Sequence, residues 1–356
     1  MAVARGLDEA ELVPPHRGLA ALLASGAPGP DAGGWEEVEP RGSRVGLMTG
    51  PVLLVHLRNV LWSPRTSLVA LADGRLPDAP MQQVPGSKRA LAALLAAPAR
   101  PVARGAIWLS GGAAANYGHF LIDSLTGLAA LEDRGLAGVF PPCARDLTRW
   151  QQGLVSAARI ATPLQTVSDA AIRFEEMIYV TTLGHYLQRN GALLSALLAR
   201  IQPQRPLLTE DGAMVYLSRR AYTGRVLVNE AALEAALAAR GVRILHPERM
   251  TTADQIAAMA GARALIGASG AALANLCFLP PGARIVELRP QTVVEQWLNL
   301  AADLRGLDHR VVEGRAPLPR AEVPIAAKLR QLPRWLARRY HYAWSVDIAE
   351  VLAALD

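Results

Sequence analysis

The stretch GARALIGASGAALANLCFLPPGARIVE, residues 261–287, decides the fold class of the C-terminal half of the chain. A short apolar run at residues 264–266 passes into a loop of small residues, and a helix-compatible segment follows to about Phe278. Pro280 ends that segment, and an apolar, partly β-branched run at residues 283–288 is typical of a buried strand. The pattern predicts strand, tight loop, helix and strand, with the loop at the carboxyl ends of parallel strands.

The loop of this unit, Gly-Ala-Ser-Gly-Ala at residues 267–271, has several interpretations. Its small residues let a diphosphate approach the backbone, and the unpaired amides at a helix start attract anions. The same residues also suit any tight turn between a strand and a helix. A third interpretation is a serine hydrolase with Ser269 as nucleophile, because the loop approaches the Gly-x-Ser-x-Gly elbow. Glu287 or Asp308 as acid and His309 as base follow in hydrolase order.

Composition indicates a globular protein of two domains. The chain has 356 residues, of which 51% are hydrophobic and 19% charged, which argues against extensive disorder. The net charge of +6 is carried almost wholly by Arg, and basic clusters with interleaved aromatics occur only at the C-terminus, so we expect no nucleic-acid partner. Two distant cysteines exclude a disulfide framework, and no apolar run reaches the length of a membrane span. We therefore expect a cytoplasmic location.

Pro203 and Pro206 end a predicted helix and mark a domain boundary. We expect an N-terminal domain at residues 1–202, a C-terminal domain at residues 207–315 and a helical segment at residues 320–356. Alternating strands and helices predict a Rossmann-like parallel sheet in the C-terminal domain, without the Gly-x-Gly-x-x-Gly signature of dinucleotide coenzymes. The helical segment is basic and aromatic, so it packs across both domains or, alternatively, rests on anionic lipid.

The other secondary structure follows from local patterns. The predicted strands lie at residues 52–61, 67–72, 106–110, 164–167, 173–180, 214–218, 242–245 and 309–312. The predicted helices lie at residues 17–24, 88–96, 116–133, 148–160, 187–201, 230–240, 253–261 and 292–304. Asn229 is the predicted cap of the helix at 230–240, and Thr252 with Gln255 fits a capping box for the next helix.

His119 and Asp123 are four residues apart in Asn-Tyr-Gly-His-Phe-Leu-Ile-Asp, residues 116–123. On a helix they share one face, so the carboxylate can orient the imidazole. A histidine paired in this way is a plausible general base, since it titrates near neutrality. The structural alternative is a histidine that only caps or packs near a helix start.

Arg219 and Arg220 follow the first strand of the C-terminal domain. At the carboxyl end of a parallel strand, guanidinium groups face the ligand crevice and bind phosphate oxygens in a bidentate way. Surface arginines are common in this composition, so only one of the pair need matter. Glu287 ends another strand, where it can accept hydrogen bonds from ribose hydroxyls or remain a solvated strand end.

These stretches together resemble glycosyltransferase family 61, over about residues 107–289 and best within residues 216–288. The matching pieces are, in order, Asn116-Tyr117-Gly118-His119-Phe120 with Asp123, Ser218-Arg219-Arg220, Asn229-Glu230, Gly270-Ala271-Ala272-Leu273-Ala274-Asn275 and Pro281-Gly282-Ala283-Arg284-Ile285-Val286-Glu287-Leu288. Their joint order and spacing carry the resemblance.

The resemblance implies an α/β architecture of the GT-B type. Two Rossmann-like domains would face a cleft, with the acceptor on the N-terminal side and a nucleotide sugar on the C-terminal side. It also implies an inverting single displacement, in which a base deprotonates the acceptor hydroxyl as the nucleoside diphosphate leaves. The chain has no Asp-x-Asp motif, so we expect no metal or other cofactor. We expect positive groups near the loop to stabilise the leaving group instead.

Carried onto this chain, the resemblance makes His119 the base and Asp123 its orienting carboxylate. The expected donor-binding residues are Asn116, Arg219, Arg220, Gly267, Ser269, Gly270, Ala271, Asn275 and Glu287. Many family members carry Pro-His where this chain has Ala268-Ser269, which predicts an altered donor preference or, alternatively, an inactive GT-B scaffold.

The family suggests a uridine diphosphate sugar as donor and a glycan or lipid-linked glycan as acceptor. The expected setting is bacterial capsule or lipopolysaccharide synthesis. In that setting we expect a cytoplasmic enzyme. Peripheral contact with the cytoplasmic face of the inner membrane is compatible with this expectation.

Overall fold

A computed structural model of the chain describes residues 36–38, 47–49, 54–71, 88–109, 113, 115–180, 191–201, 212–293, 297–325, 327–328 and 342–356. These residues belong to two compact units, Met1–Gln202 and Pro203–Asp356. The predicted helix at residues 17–24 and the basic stretch at residues 329–341 lie outside the described residues.

The N-terminal unit contains a mixed β-sheet. Its strands are β1 Glu36–Val38, β2 Leu47–Thr49, β3 Leu54–Trp62, β4 Val69–Leu71, β5 Ala99–Ile107, β6 Pro142–Ala144, β7 Gln165–Thr166 and β8 Ala171–Val180. β1 and β2 pair with each other, and the other six form one sheet in the order β4-β3-β8-β5-β6-β7. β3 runs antiparallel to β4 and β8, whereas β5 is parallel to β8 and β6. The expectation of a Rossmann-like parallel sheet in this domain is therefore corrected to a mixed sheet.

Strand β5 begins at Ala99, well before the strand predicted at residues 106–110. Its first half carries Arg100, which pairs with Asp169 at 2.8 Å, and Arg104, which pairs with Glu176 at 3.6 Å. Both arginine side chains are partly exposed, whereas residues 105–107 at the end of the strand are buried. A search for apolar runs recognises only the buried end, since the other half is amphipathic.

One helix of this unit carries the His119 motif. The helices are α1 Lys88–Ala96, a π-helix at His119–Leu125, α2 Thr126–Asp133, a 3₁₀-helix at Leu136–Gly138, α3 Arg149–Ala157 and α4 Gly191–Arg200. The helix predicted at residues 116–133 is thus a wider π-helical turn that continues into a regular α-helix. The sheet core includes Leu57, Trp62, Ile107 and Phe174, each almost fully buried.

Gly105 in strand β5 tests the packing of this core. A Cβ atom at Gly105 would lie 2.4 Å from Cε1 of Phe174 and 3.0 Å from the Cys143 sulfur, so an added methyl group must displace buried atoms. We expect Gly105→Ala to lower the free energy of unfolding by about 1–3 kcal/mol in urea titration. Gly138→Ala is the matched control, because nothing lies within 4 Å of its Cβ position. Equal stability of the two variants would contradict the packing described.

The C-terminal unit contains a parallel sheet, as the alternating pattern predicted. Its strands are β9 Ala213–Leu217, β10 Val226–Leu227, β11 Arg243–Leu245, β12 Ala262–Ala268, β13 Arg284–Pro290, β14 Asp308–Gly314 and β15 Ala343–Trp344. Five of them form an all-parallel sheet in the order β11-β9-β12-β13-β14. The strand order reverses between β9 and β12, and such switch points are where open α/β sheets bind ligands.

Helices connect these strands, and two predicted caps are corrected. The helices are α5 Glu230–Ala239, a 3₁₀-helix at Pro247–Arg249, α6 Thr252–Ala260, a 3₁₀-helix at Ala271–Phe278, α7 Trp297–Arg305, a 3₁₀-helix at Arg320–Glu322 and α8 Ile348–Ala353. The capping box of α6 is formed by Thr251 with Asp254, one residue before the predicted pair. Asn229 precedes α5 without a side-chain cap, because its amide group instead bonds the backbone of Val346.

The C-terminal segment is not helical throughout. Ala343–Trp344 forms a strand that pairs in parallel with Val226–Leu227, and α8 follows it. Within the part that the structure describes, the strand Ala343–Trp344 corrects the expectation of a helical segment at residues 320–356. No helix among the described residues is long and apolar enough to cross a membrane.

Candidate active site

His119 and Asp123 form a close pair on the π-helix of the N-terminal unit. Nδ1 of His119 lies 2.6 Å from Oδ2 of Asp123, and the Asp123 side chain is only 2% exposed whereas that of His119 is 20% exposed. The predicted contact between them is confirmed. Because Nδ1 faces a carboxylate, the tautomer with the proton on Nδ1 is stabilised, which makes Nε2 the atom that accepts a proton.

Neighbouring side chains hold this pair in place. Asn116 accepts a hydrogen bond from the His119 backbone N–H at 3.1 Å, so its side chain organises the helix start. The ring of Phe120 packs edge-on against Trp108 and Trp150, with centroids 5.9 Å and 5.3 Å away. Rings of this size restrict helix rotation, and π-helical turns often occur at functional sites. The arrangement is that of a rigidly held, carboxylate-oriented imidazole.

Arg219 occupies the switch point of the C-terminal sheet. It follows strand β9, and its Nη1 donates a hydrogen bond to the Ser269 carbonyl after strand β12 at 2.8 Å. Its Nη2 lies 3.4 Å from the Gly224 carbonyl, and its Cζ lies 4.6 Å from the Tyr222 ring centroid. A single guanidinium thus bridges the carboxyl ends of the two strands, where the sequence predicted a phosphate-binding arginine.

Gly270 brings a second arginine to the same place. Its φ of 152° is unfavourable for other residues, and an added Cβ would lie 2.6 Å from Nη1 of Arg219 and 3.3 Å from Nη2 of Arg225. Burial and the neighbouring charge of Arg225 lower the pKa of Arg219 to about 10, which still leaves it cationic at neutral pH. Two guanidinium groups therefore border a backbone position without a side chain, a setting that favours an anion.

Glu230 supports this site, and sequence reasoning assigned it no role. Its Oε1 accepts hydrogen bonds from the Arg219 backbone N–H at 2.6 Å and from the Tyr216 hydroxyl at 3.0 Å. Burial raises the pKa of Glu230, and the charge of Glu234 adds to the rise, against the effect of those two hydrogen bonds. The signal for this residue was its place in the Asn229-Glu230 piece of the family resemblance.

Arg220 is bound differently from Arg219. Its Nη1 contacts Oε2 of Glu234 at 3.2 Å, and its side chain is 54% exposed. The structure therefore joins Arg219 to the loop after β12, and gives Arg220 an ion pair with helix α5. A role for Arg220 in donor binding stays a prediction.

Glu287 is a buried junction between side chains and not an exposed strand end. Its carboxylate is fully buried and lies 2.5 Å from Nη2 of Arg289, 3.1 Å from Nε2 of His309 and 2.5 Å from the Ser269 hydroxyl. These contacts occupy both oxygens, so the arrangement favours positioning of the Ser269 loop over direct contact with ribose. Ribose binding by Glu287 stays a prediction.

The same geometry differs from that of a hydrolase triad. In such a triad the serine hydroxyl donates to histidine, which in turn donates to the acid. Here Glu287 lies between the other two side chains: the Ser269 hydroxyl donates to Oε1, and His309 faces Oε2. His309 thus contacts the carboxylate and not the serine hydroxyl, and Ser269 is only 3% exposed. These contacts do not activate Ser269 as a nucleophile.

Three further predicted donor residues shape the loop. Gly267 lies within β12, where an added Cβ would come within 2.9 Å of Leu273. Asn275 is 1% exposed and donates to Gln255 on α6 and to a carbonyl of its own turn. Ala271, half-buried, starts the 3₁₀-helix that follows Gly270. Packing explains the glycine at position 267, and hydrogen bonds within the unit explain the asparagine at position 275. The backbone around Gly270 is the part of the loop that borders Arg219 and Arg225.

Comparison with known proteins agrees with the resemblance. Residues 117–286 match the family model described as Glycosyltransferase 61. The matched segment includes His119, Asp123, Arg219 and Gly270, and it ends just before Glu287. No curated protein matches the chain. Among the described residues, no group of three or more His, Cys, Asp or Glu side chains is placed to bind a metal ion.

Proposed function

We propose that the chain is an inverting glycosyltransferase that uses a nucleotide-sugar donor without a metal ion. The match of residues 117–286 to the glycosyltransferase 61 family model supports glycosyltransferase activity. The observation that carries the proposal is the contact of Arg219 with the Ser269 carbonyl, beside Gly270 and Arg225. In metal-independent transfer, such cations stabilise the charge that develops on the leaving diphosphate.

The proposed base is His119, oriented by Asp123. In an inverting displacement the acceptor hydroxyl attacks the anomeric carbon, and its proton passes to Nε2 of the imidazole while the diphosphate leaves with the bonding electron pair. The 2.6 Å contact supports this role because it sets the tautomer. A GT-B arrangement of the two units belongs to the same proposal, since the base and the donor site lie in different units.

We further place the reaction in the cytoplasm, in bacterial capsule or lipopolysaccharide synthesis, with a uridine diphosphate sugar as donor. The acceptor in this proposal is a glycan or lipid-linked glycan, which brings the enzyme near the inner membrane. Both cysteines, Cys143 and Cys277, are free buried thiols, which suits a reducing compartment. The Ser269 position, where many family members carry histidine, is proposed to alter the donor preference.

Nucleotide binding tests the proposal directly. The unmodified chain is titrated by calorimetry with uridine, guanosine, cytidine and thymidine diphosphates, each with and without a chelator. We expect one of them to bind with chelator present, and Arg219→Gln to weaken that binding by about tenfold or more, because a charged hydrogen bond to phosphate is lost.

Arg249→Gln is the matched control, since that side chain is 77% exposed on the short helix Pro247–Arg249. We expect this variant to bind as the unmodified chain does. If the unmodified chain binds none of the four diphosphates, the proposal fails and an inactive scaffold becomes the better description. Binding that disappears with chelator would refute the metal-free donor site alone.

A further inference from the structure

Arg225 has an unusual backbone conformation. Its φ of 49° lies in the left-handed region, which residues other than glycine rarely adopt. Such a conformation costs free energy and persists only where surrounding contacts impose it, most often at functional sites.

The C-terminal strand supplies these contacts. Trp344 is 1% exposed, and its indole Nε1 donates a hydrogen bond to the Arg225 carbonyl at 2.8 Å. The residues that follow Arg225, Val226–Leu227, pair in parallel with Ala343–Trp344. The indole ring lies against Gly314, where an added Cβ would come within 2.5 Å of it. The backbone of Arg225 is thus attached to a tryptophan that is itself held in the core.

The result of this attachment is the position of the Arg225 side chain. Its Nη2 would lie 3.3 Å from a Cβ atom added at Gly270, and Nη1 of Arg219 would lie 2.6 Å from the same position, so both guanidinium groups border one backbone site. The carboxylate of Glu230 accepts hydrogen bonds from the backbone N–H of Arg219 and from the Tyr216 hydroxyl. Two like charges held together in a half-buried place repel each other, and an anion between them relieves that repulsion.

We propose that Arg225 is a second ligand of the donor diphosphate, and that the strand Ala343–Trp344 acts as its positioning element. This inference rests on the proposed nucleotide-sugar site and adds to it a residue that the sequence did not single out. A diphosphate fits better than a single carboxylate, because its two phosphate groups can each accept bidentate hydrogen bonds from one guanidinium. The C-terminal segment is then a structural part of the donor site.

The test measures binding of inorganic pyrophosphate, and of the nucleoside diphosphate selected by the screen above, in calorimetry. We expect Arg225→Gln to weaken both by about tenfold or more, because a charge-assisted contact is lost. Arg225→Lys keeps the charge but loses the planar fork, so an intermediate loss is expected. Binding of the corresponding nucleoside, which has no phosphate, stays unchanged in both variants. Arg249→Gln again serves as control.

Trp344→Phe tests the positioning role. It keeps an aromatic ring in the core but removes the indole N–H that holds the Arg225 carbonyl. We expect a roughly twofold to tenfold loss of pyrophosphate affinity, with nucleoside binding unchanged. A purely structural role of Trp344 would lower the melting temperature without this selective loss.

The outcomes separate the inference from the proposed function. If the unmodified chain binds neither pyrophosphate nor any nucleoside diphosphate, the donor site itself fails and Arg225 with it. If Arg219→Gln weakens binding while Arg225→Gln binds as tightly as the unmodified chain, the donor site stands and the inference is overturned. Parallel loss in both arginine variants supports it.

Discussion

His119→Ala is expected to lower the turnover number by about a hundredfold or more, because a positioned general base contributes roughly 10²–10⁴-fold to such a reaction. The measurement is the rate of nucleotide release in the presence of donor and acceptor, alongside donor affinity by calorimetry. Affinity should change little, since the donor ligands proposed above lie in the C-terminal unit. The loss should therefore fall on turnover and not on donor binding.

Two companion variants sharpen this experiment. His119→Gln retains a hydrogen-bond donor for the buried Asp123 carboxylate but cannot act as a base near neutrality, so it should lose turnover while keeping the local structure. His246→Ala is the matched control, because that histidine lies in the other unit with a side chain that is 33% exposed. Turnover in His119→Ala within a few-fold of the unmodified chain would show that the base is another group.

Glu287→Ala should cause the largest loss of stability in the C-terminal unit. Removal of a fully buried carboxylate leaves Arg289 and His309 without their common partner, and breaking such a buried pair costs about 3–5 kcal/mol. The measurement is the free energy of unfolding from urea titration. Asp308→Ala is the control: its pair with Arg284 at 2.7 Å is half-exposed, so about 1 kcal/mol or less is expected. Equal losses would contradict the central position of Glu287.

The same carboxylate predicts a pH dependence. Burial by itself raises the pKa of Glu287, but hydrogen bonds from His309, Arg289 and Ser269 outweigh it and lower the pKa below its ordinary value. A carboxylate with a lowered folded-state pKa adds stability that is fully present above its unfolded-state pKa. This contribution is lost as the pH falls through the folded-state pKa. Glu287→Gln should therefore lose less stability than the unmodified chain between pH 5 and more acidic conditions, in the same urea titrations.

Local pattern was sufficient where the structure depends on neighbours along the chain. The stretch 261–287 predicted a strand, a loop, a helix and a strand, and the structure contains β12, a 3₁₀-helix and β13 there. Apolar runs between Gly and Pro indicate buried strands because the breakers limit their length. The four-residue spacing of His119 and Asp123 likewise predicted their contact, although not the π-helical turn that carries it.

Local sequence patterns predict the candidate site less well, because its contacts join segments that are distant along the chain. Glu287 looked like an open strand end, and its burial results from His309 on the neighbouring strand together with Arg289 and Ser269. Arg225 had no local signal at all. Its carbonyl is bound by Trp344, far along the chain, and no periodicity or motif near Arg225 reveals that pairing.

The sequence alone therefore determined the α/β class, the parallel sheet of the C-terminal unit and the pairing of His119 with Asp123. These features follow from hydrophobic period, breakers and helical spacing, which act over a few residues. Only the tertiary structure decided that Arg219 and Arg225 meet at Gly270, and that Glu287 is enclosed. Both depend on which strands become neighbours in the sheet, and strand neighbours are selected by long-range burial that no local pattern encodes.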